Sequence, residues 1–311
     1  MPGTTADPTL ATSGPAPTAD AARRRHPGAA AEVLLGGALL GTAGVAAAYA
    51  PGSTSPAALG LLRIAIGAFL LLALMPMLGG SRRHVFALVR RPTIWFAAVG
   101  TAAYQLLFFT AAERAGVAIT TLLITGTIPL VAGVLGWVLL KERPSRRWAF
   151  ATLIALVGLT LRSWTQLTVD DATGALMAFA AGALVACYWI INKYELTRGE
   201  HPAELATAAY LLSSVVLAPF ALTHSWAWAL TPAGIVVAIY LGVMTMALGN
   251  VLTIRGMHGL SPGHSATLLL SDPGVATVLG VVLLDEHLDA AAVVGVALVL
   301  GALVTLARPG D

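Results

Sequence analysis

Residues 129–142 read PLVAGVLGWVLLKE, and residues 273–286 read PGVATVLGVVLLDE. At a constant offset of 144 residues the two stretches share ten identities in fourteen positions, including Pro129 with Pro273 and Glu142 with Glu286. Apolar segments often match by chance, but Pro, Gly and Glu in one fixed register rarely do. The chain is therefore predicted to consist of two related halves.

The composition indicates what kind of protein carries this repeat. Hydrophobic residues make up 57% of the chain and charged residues 11%, whereas a soluble domain has about 25% charged residues. An apolar run of roughly 18 or more residues with few charges is typical of a membrane-spanning helix. Ten segments fit this description: 32–50, 56–78, 93–112, 117–140, 146–163, 172–191, 203–222, 231–252, 260–284 and 290–307.

Each half holds five predicted spans, and five is odd, so the second half enters the membrane from the opposite side. The loop KERPSRR (141–147) is basic, whereas DEHLDA (285–290), the equivalent loop in the second half, is acidic. Such inverted repeats are typical of secondary transporters. We predict an all-α integral membrane protein with ten transmembrane helices in two inverted five-helix repeats, residues 30–163 and 172–307, after a disordered cytoplasmic tail, residues 1–28.

The basic residues predict the orientation. If the N-terminus is cytoplasmic, 15 of the 18 Lys and Arg residues lie on the cytoplasmic side, as the positive-inside rule requires. A multi-pass protein of the inner or plasma membrane, with both termini cytoplasmic, is therefore expected. An alternative is that the first span is a signal peptide cleaved after Ala50, which would leave nine spans.

Several stretches resemble the EamA-type drug/metabolite transporter superfamily. They are LRIAIGAFLLLAL (62–74), AAYQLLFFTAAERAGVAITTLL (102–123), GALMAFAAGALVACYWIINKYEL (174–196) and the repeated P…G…LL-x-E pattern. The resemblance covers about residues 30–307. It implies a carrier whose central cavity opens alternately to either side, and a substrate drawn from amino acids, drugs, sugars or other small metabolites.

Asp272 and Pro273 stand together in the ninth predicted span. Pro removes a backbone donor, and Asp is a favoured N-cap, so one hypothesis is a broken helix that Asp272 caps. The other hypothesis places Asp272 on the central cavity, where it binds a substrate amine or a proton. The first half has Ile128 at the equivalent position, so the Pro is shared scaffold and the acid is not.

Arg63 is the other ionisable residue well inside a span, and a guanidinium at that depth needs a carboxylate, carbonyls or water. The family resemblance favours a structural or gating role for Arg63 over binding of a substrate carboxylate, and a pair with Asp272 would satisfy both charges. Structural or gating roles are also predicted for Pro129, Pro273, Glu142 and Glu286, the two glutamates pairing with nearby Lys or Arg.

The remaining polar residues in or near the spans are candidates for lining the cavity. Thr120–Thr121 and His264–Ser265 occupy matched positions in the two halves; hydrogen bonds to a neighbouring helix or to the i−4 carbonyl are the alternative for them. With Asp272, the candidates are Tyr104, Gln105, Thr120, Thr121, Trp189, Asn250, His264 and Ser265.

Other chemistry lacks a sequence signal. There is no GxxxxGK[ST] phosphate loop, no HExxH and no spaced Cys/His cluster, and Cys187 is the single cysteine. We expect no cofactor, no metal and no nucleic-acid partner. The expected partners are a small-molecule substrate and the lipid bilayer, and the GxxxG spacing of GALLG (37–41) could also support a homodimer.

The sequence thus predicts a secondary transporter of small polar metabolites that works by alternating access around a midplane cavity. Export of amino acids is the leading function, since one acid and one base could match a zwitterion. A drug or nucleotide-type metabolite carrier of the same fold is the first alternative. A membrane-embedded enzyme or accessory subunit is the second, and an enzyme should show acids, His or Lys clustered at one membrane face.

Overall fold

The computed structural model describes residues 28–162, 171–284 and 290–307, and in these ranges every regular element is helical. A π-helix, Leu241–Gly249, joins the α-helix Pro232–Tyr240 to the α-helix Asn250–Met257. The α-helices are α1 (Ala29–Ala48), α2 (Pro56–Leu74), α3 (Arg82–Leu88), α4 (Pro92–Ala115), α5 (Val117–Leu140), α6 (Arg146–Arg162), α7 (Ala172–Thr197), α8 (Pro202–Ala221), α9 (Pro232–Tyr240), α10 (Asn250–Met257), α11 (Pro262–Leu268), α12 (Ser271–Leu284) and α13 (Ala290–Ala307).

Eight of the ten predicted spans are helices long and apolar enough to cross a membrane, counting α9–α10 and α11–α12 as one span each. The other two, α6 and α13, fall at the predicted places but are shorter, with 17 and 18 residues described. Large apolar side chains such as Phe69, Phe96 and Val215 point outward from the spans. An apolar surface of this kind suits contact with lipid tails.

The two halves interlock. The first helix of the second half, α7, packs against α4 and α5 of the first half. The first helix of the first half, α1, packs against α10 and α12 of the second half. The last helices of the halves, α6 and α13, pack against each other. The interface between the repeats therefore runs through the whole bundle.

The ninth span is broken where the sequence predicted a break. α11 ends at Leu268 and α12 begins at Ser271. Pro273 has no N–H for the Leu269 carbonyl, and the Asp272 N–H donates to that carbonyl instead, at 3.0 Å. In the first half, Pro129 lies inside the continuous helix α5, so the same residue type breaks one repeat and not the other.

Asp272 does not act as the cap that one hypothesis predicted. It lies in the first turn of α12, after its first residue, and it is the backbone of Asp272 that satisfies the break. Within the described residues, its carboxylate accepts no hydrogen bond from a backbone N–H at the start of the helix. The carboxylate is thus available for other interactions.

The glycines of the GALLG segment pack against this break from within the same chain. A Cβ added at Gly37 would clash with Ser271 Oγ, and one at Gly41 would clash with the carbonyl oxygen of Asp272. Ser271 Oγ also donates to the Leu34 carbonyl, at 3.1 Å. Small residues let helix backbones approach closely in lipid, and here the GxxxG face holds α1 against α12.

The sixth span is longer than predicted. The prediction ended at residue 191, whereas α7 continues to Thr197 and carries Lys193 and Glu195 as buried residues. Lys193 Nζ donates to the carbonyls of Met257 at 2.7 Å and Leu260 at 2.6 Å. The ammonium satisfies carbonyls at the C-terminal end of α10, which explains how a lysine is accommodated inside the bundle.

Some predictions fall outside the described residues. The tail, residues 1–28, is outside them except for Gly28, and so is Glu286, the second-half equivalent of Glu142.

The contact at Gly41 can be tested with a matched pair of alanine substitutions. Gly41→Ala places a methyl group against the backbone of Asp272. Backbone cannot move aside as the end of a flexible side chain can, and overpacking of this kind lowers the free energy of unfolding by about 1–3 kcal/mol. Gly44→Ala, on the same helix, meets no atom within 4 Å. Thermal unfolding in detergent should show a lower melting temperature for Gly41→Ala alone. Equal melting temperatures for the two variants would contradict this account of the break.

Candidate functional site

Arg63 on α2 lies among polar residues of both repeats. Its Nη2 donates to Gln105 Oε1 at 3.4 Å, and it is within electrostatic range of Tyr104, Tyr210 and Asp272. Arg63 and Gln105 belong to the first half, whereas Tyr210 and Asp272 belong to the second. The polar groups therefore meet at the interface between the repeats.

Asp272 is close to Arg63 without being paired to it. The two residues interact electrostatically, but they do not form a salt bridge with each other. Arg63, Tyr104 and Asp272 each keep part of their side-chain surface accessible, whereas Gln105 is buried. An acid and a guanidinium thus lie near each other inside the spans without a direct ion pair.

A hydrogen-bonded group of second-half residues lies beside this pair of charges. Tyr188 Oη donates to Asn250 Oδ1 at 2.9 Å and is hydrogen-bonded to Tyr210. Trp189 is buried and packs edge-on against Tyr188, with 4.9 Å between the ring centroids. Buried polar groups that are fully satisfied in this way make a site rigid.

The residues around Arg63 and this hydrogen-bonded group are together called the central polar site. They are Arg63, Tyr104, Gln105, Tyr188, Tyr210, Asn250 and Asp272.

The matched pairs predicted to line the cavity do not join the central polar site. Thr120 and Ser265 are fully buried, so they do not line a cavity, and among the described residues their hydroxyls have no hydrogen-bond partner. His264 Nδ1 is 2.9 Å from Ser261 Oγ in the first turn of α11. Thr121 is half-buried near the start of α5. Since equivalent residues of inverted repeats lie toward opposite membrane faces, these pairs are far from one another.

Glu142 pairs as the sequence predicted. Its Oε1 is 3.9 Å from Lys193 Nζ, so the end of α5 in the first half is linked to α7 in the second. Burial raises the pKa of Glu142 above its ordinary value, and the Lys193 ammonium opposes that shift. The left-handed Lys141, with φ of 60°, ends α5 and turns the chain so that Glu142 N–H reaches the Gly136 carbonyl at 3.1 Å.

A second set of charged residues joins the repeats at one end of the bundle. It comprises His84, Arg91, Glu195, Glu200 and Glu204, which we call the inter-repeat ion cluster. Arg91 forms salt bridges of 2.7 Å with both Glu195 and Glu200, and His84 Nε2 is 2.5 Å from Glu200 Oε2. Acids and a His gathered at one face are what the sequence analysis expected of an enzyme, and here they are engaged in ion pairs across the repeats.

The sequence analysis missed Tyr188, Tyr210 and the inter-repeat ion cluster. Tyr188 stands beside Trp189, and nothing in the order of residues indicates which of the two faces the other repeat. The glutamates at 195, 200 and 204 form a visible group near the end of the sixth span. Their partners His84 and Arg91 are more than a hundred residues away, and only folding brings them together.

Removal of the shared cation should destabilise the protein. Arg91→Met leaves Glu195 and Glu200 with buried charge, and breaking a buried ion pair costs about 3–5 kcal/mol; the lower end is expected because Arg91 itself is 33% exposed. Arg90→Met is the matched control, since Arg90 is exposed. Thermal unfolding in detergent checks the difference, and an Arg91→Met variant as stable as Arg90→Met would contradict the ion pairing.

Comparison with known proteins identifies a family and several relatives. The EamA-like transporter family model matches residues 29–164 and again residues 172–308. An uncharacterized transporter of Bacillus subtilis, YwfM, is 34% identical over 279 residues, covering 89% of this chain and 93% of that protein. The threonine/homoserine exporter RhtA of Escherichia coli is 26% identical over 264 residues, covering 82% of this chain and 81% of that one.

A solved structure agrees with the fold. One crystal structure, 19% identical in sequence, superposes with a TM-score of 0.77 over 90% of this chain and 96% of that chain. The family model matches both halves, one of the relatives is identical at a third of its positions, and the described helices form interlocking repeats. The chain therefore belongs to the EamA-like transporter family and is a multi-pass membrane transporter.

Proposed function

We propose that this transporter exports small zwitterionic metabolites, with amino acids as the leading class, by alternating access around the central polar site. The observation that carries the proposal is the pair of opposite charges, Arg63 and Asp272, which lie near each other without a salt bridge. Uncompensated charges are costly in a membrane, so they are retained where a ligand or water completes them.

The two charges match the two ends of an amino acid. A substrate carboxylate suits the planar guanidinium of Arg63, and a substrate ammonium suits the carboxylate of Asp272. Gln105 and Tyr104 supply neutral polar groups at the same place, next to Arg63. Substrate sites of inverted-repeat carriers lie near the midplane at the repeat interface, where these residues of both halves meet.

The names of relatives support the same substrate class. RhtA of Escherichia coli and of Salmonella typhimurium is a threonine/homoserine exporter, and these proteins are 26% and 25% identical to the chain. At this identity the likeness favours amino acids without selecting one. Threonine and homoserine are therefore the first substrates to test.

The ion pairs near the ends of the helices agree with the predicted alternation of the spans across the membrane. Arg255, in a segment predicted to be cytoplasmic, pairs with Glu32, the first residue of the first predicted span and thus at its cytoplasmic end. Arg114 pairs with Asp171 at 3.1 Å, and both belong to segments predicted to lie outside. No ion pair of the described residues joins predicted opposite sides. Together with the 15 of 18 Lys and Arg residues on one side, this favours cytoplasmic termini.

Transport should be measured in proteoliposomes that contain only this protein. Labelled threonine is taken up against an internal excess of unlabelled threonine, with and without a pH gradient. Accumulation above equilibrium driven by the gradient would identify proton coupling, and exchange alone would identify a facilitator. Absence of flux for amino acids would overturn the proposed substrate class and direct the search to drugs, sugars or nucleotide-type metabolites.

Removal of the central acid should abolish most of this flux. Asp272→Asn removes a charge-assisted hydrogen bond to the substrate ammonium, which is worth about 1.5–3 kcal/mol, so the apparent affinity should fall at least about tenfold. Glu113→Gln, which removes an exposed carboxylate at the end of α4, is the matched control. Melting temperatures of both variants establish that they fold. Unchanged flux in a folded Asp272→Asn variant would remove Asp272 from the site.

Removal of the central base should distinguish a zwitterion from a simple amine. Arg63→Met should weaken the counterflow of threonine, whose carboxylate loses its partner. Binding of an amine that lacks the carboxylate, such as threoninol, should be the same in the wild type and the variant. The measurement is competition by threoninol against labelled threonine in wild type and variant. Equal losses for both compounds would show that Arg63 supports the structure and does not bind the carboxylate.

A further inference from the structure

Three ligand atoms of the inter-repeat ion cluster converge on one point. They are His84 Nε2, Glu200 Oε2 and Glu204 Oε2: the histidine nitrogen is 2.5 Å from the first oxygen and 3.9 Å from the second. One ligand atom from each of the three residues lies within 4.8 Å of the others. An imidazole nitrogen with two carboxylate oxygens is a donor set suited to divalent transition-metal ions.

The other oxygen of each carboxylate is already held. Glu200 Oε1 is 2.7 Å from Arg91, and Glu204 Oε1 accepts the Ser81 N–H at 2.5 Å. Each glutamate is therefore anchored through Oε1, and its Oε2 is directed toward His84. Hydrogen bonds of this kind orient the ligands of metal sites and are a regular part of them.

The cluster carries more negative than positive charge. Glu195, Glu200 and Glu204 contribute three carboxylates with little exposure, 2%, 11% and 7%. Arg91 is the guanidinium bonded to two of them, and the exposed Arg83 lines the same depression at its rim. The three carboxylates outnumber these two guanidinium groups, so one carboxylate charge has no guanidinium to balance it. A cation at the converging atoms would balance it.

His84, Glu200 and Glu204 line an open depression together with Ser81 and Gly199. An ion can therefore enter from solvent, and water can fill the coordination positions that the protein leaves vacant.

We propose that His84, Glu200 and Glu204 form a binding site for a divalent transition-metal ion, with Zn²⁺ as the probe. The three ligands are not recognisable as a motif because His84 is 116 residues from Glu200. His84 lies on α3 of the first repeat, whereas Glu200 and Glu204 flank the start of α8 in the second. A bound ion is thus a link between the repeats.

This link predicts regulation, a consequence that rests on the proposed transport function. Alternating access moves one repeat against the other, so the ends of the repeats must separate on each side in turn. An ion shared by His84 and Glu204 holds them together at the face of the cluster. Zn²⁺ should therefore stabilise the conformation that is closed on that face and inhibit transport.

Binding is tested first, on the untagged full-length protein in detergent after treatment with a chelator. Titration calorimetry with Zn²⁺ should give one ion per chain, and His84→Ala and Glu204→Gln should each weaken binding at least about tenfold. His201→Ala is the matched control, because His201 lines the same depression but is not one of the converging ligands. It should bind Zn²⁺ as the wild type does.

Co²⁺ gives a second readout that does not depend on stability. The visible absorption of bound Co²⁺ should appear in the wild type and in His201→Ala, and should be lost in folded His84→Ala. No Zn²⁺ binding by the wild type, or equal binding by His84→Ala, would overturn the site. A melting temperature that rises at low pH but not on addition of Zn²⁺ would also overturn the site. His84 would then serve only as a protonated partner of the glutamates.

The regulatory consequence is tested separately in proteoliposomes. Micromolar Zn²⁺ added on the face of the cluster should reduce threonine flux in the wild type and not in His84→Ala. Zn²⁺ binding without an effect on flux would overturn the link between the repeats while leaving the site in place. Absence of any flux would count against the proposed substrate, and the calorimetry would still decide the metal site.

Discussion

The break between α11 and α12, held against the glycines of α1, is the constraint on which the bundle depends. In a bilayer, each backbone polar group that water cannot reach must find a partner within the protein. Pro273 removes one donor, and the Asp272 N–H replaces it at the Leu269 carbonyl. The broken segment is then covered by Gly37 and Gly41, whose lack of side chains brings α1 into contact with it. The carboxylate of Asp272 can stay partly accessible inside a span because the backbone at the break already has its hydrogen bonds.

The repeat interface carries both groups of charged residues. Because α1 and α7 each pack into the opposite half, polar residues of the two halves meet along the bundle. In the middle, Arg63 and Asp272 come from different halves and remain unpaired with each other. At one end, Arg91 and Glu195 come from different halves and are tightly paired at 2.7 Å. Salt bridges between the halves at one end, with unpaired charges in the middle, are expected of a carrier that is closed at the end of the inter-repeat ion cluster.

The two repeats differ around the proline that they share. The proline at 129 is accommodated inside a continuous helix, and the proline at 273 follows a break. The residue before the proline is Ile128 in one half and Asp272 in the other. The shared proline is therefore compatible with a continuous helix and with a broken one. The contacts of α1 at Gly37 and Gly41 are made with the broken helix.

Hydropathy and the 144-residue offset determined most of the fold, because a lipid environment requires long apolar helices whatever their neighbours. The predicted and observed span boundaries agree closely except at three ends. The second span ends at Leu74 rather than 78, and the eighth continues to Met257 rather than 252. In the sixth span, Lys193 and Glu195 extend α7 to Thr197. That extension was not predictable, since burial of a lysine depends on carbonyls from a helix 64 residues away. The sequence also indicated Arg63, Gln105 and Asp272, because charges and amides are rare inside spans.

Only the tertiary structure decided which polar residues act together. It brought Tyr188 and Tyr210 beside Arg63, kept Thr120 and Ser265 in packed surroundings, and joined His84 to Glu200. Sequence position determines how deep a residue lies in the membrane, but the side of the helix that faces the other repeat depends on packing. For an inverted repeat this packing is made between halves, so the partners of a functional residue lie far away in the chain.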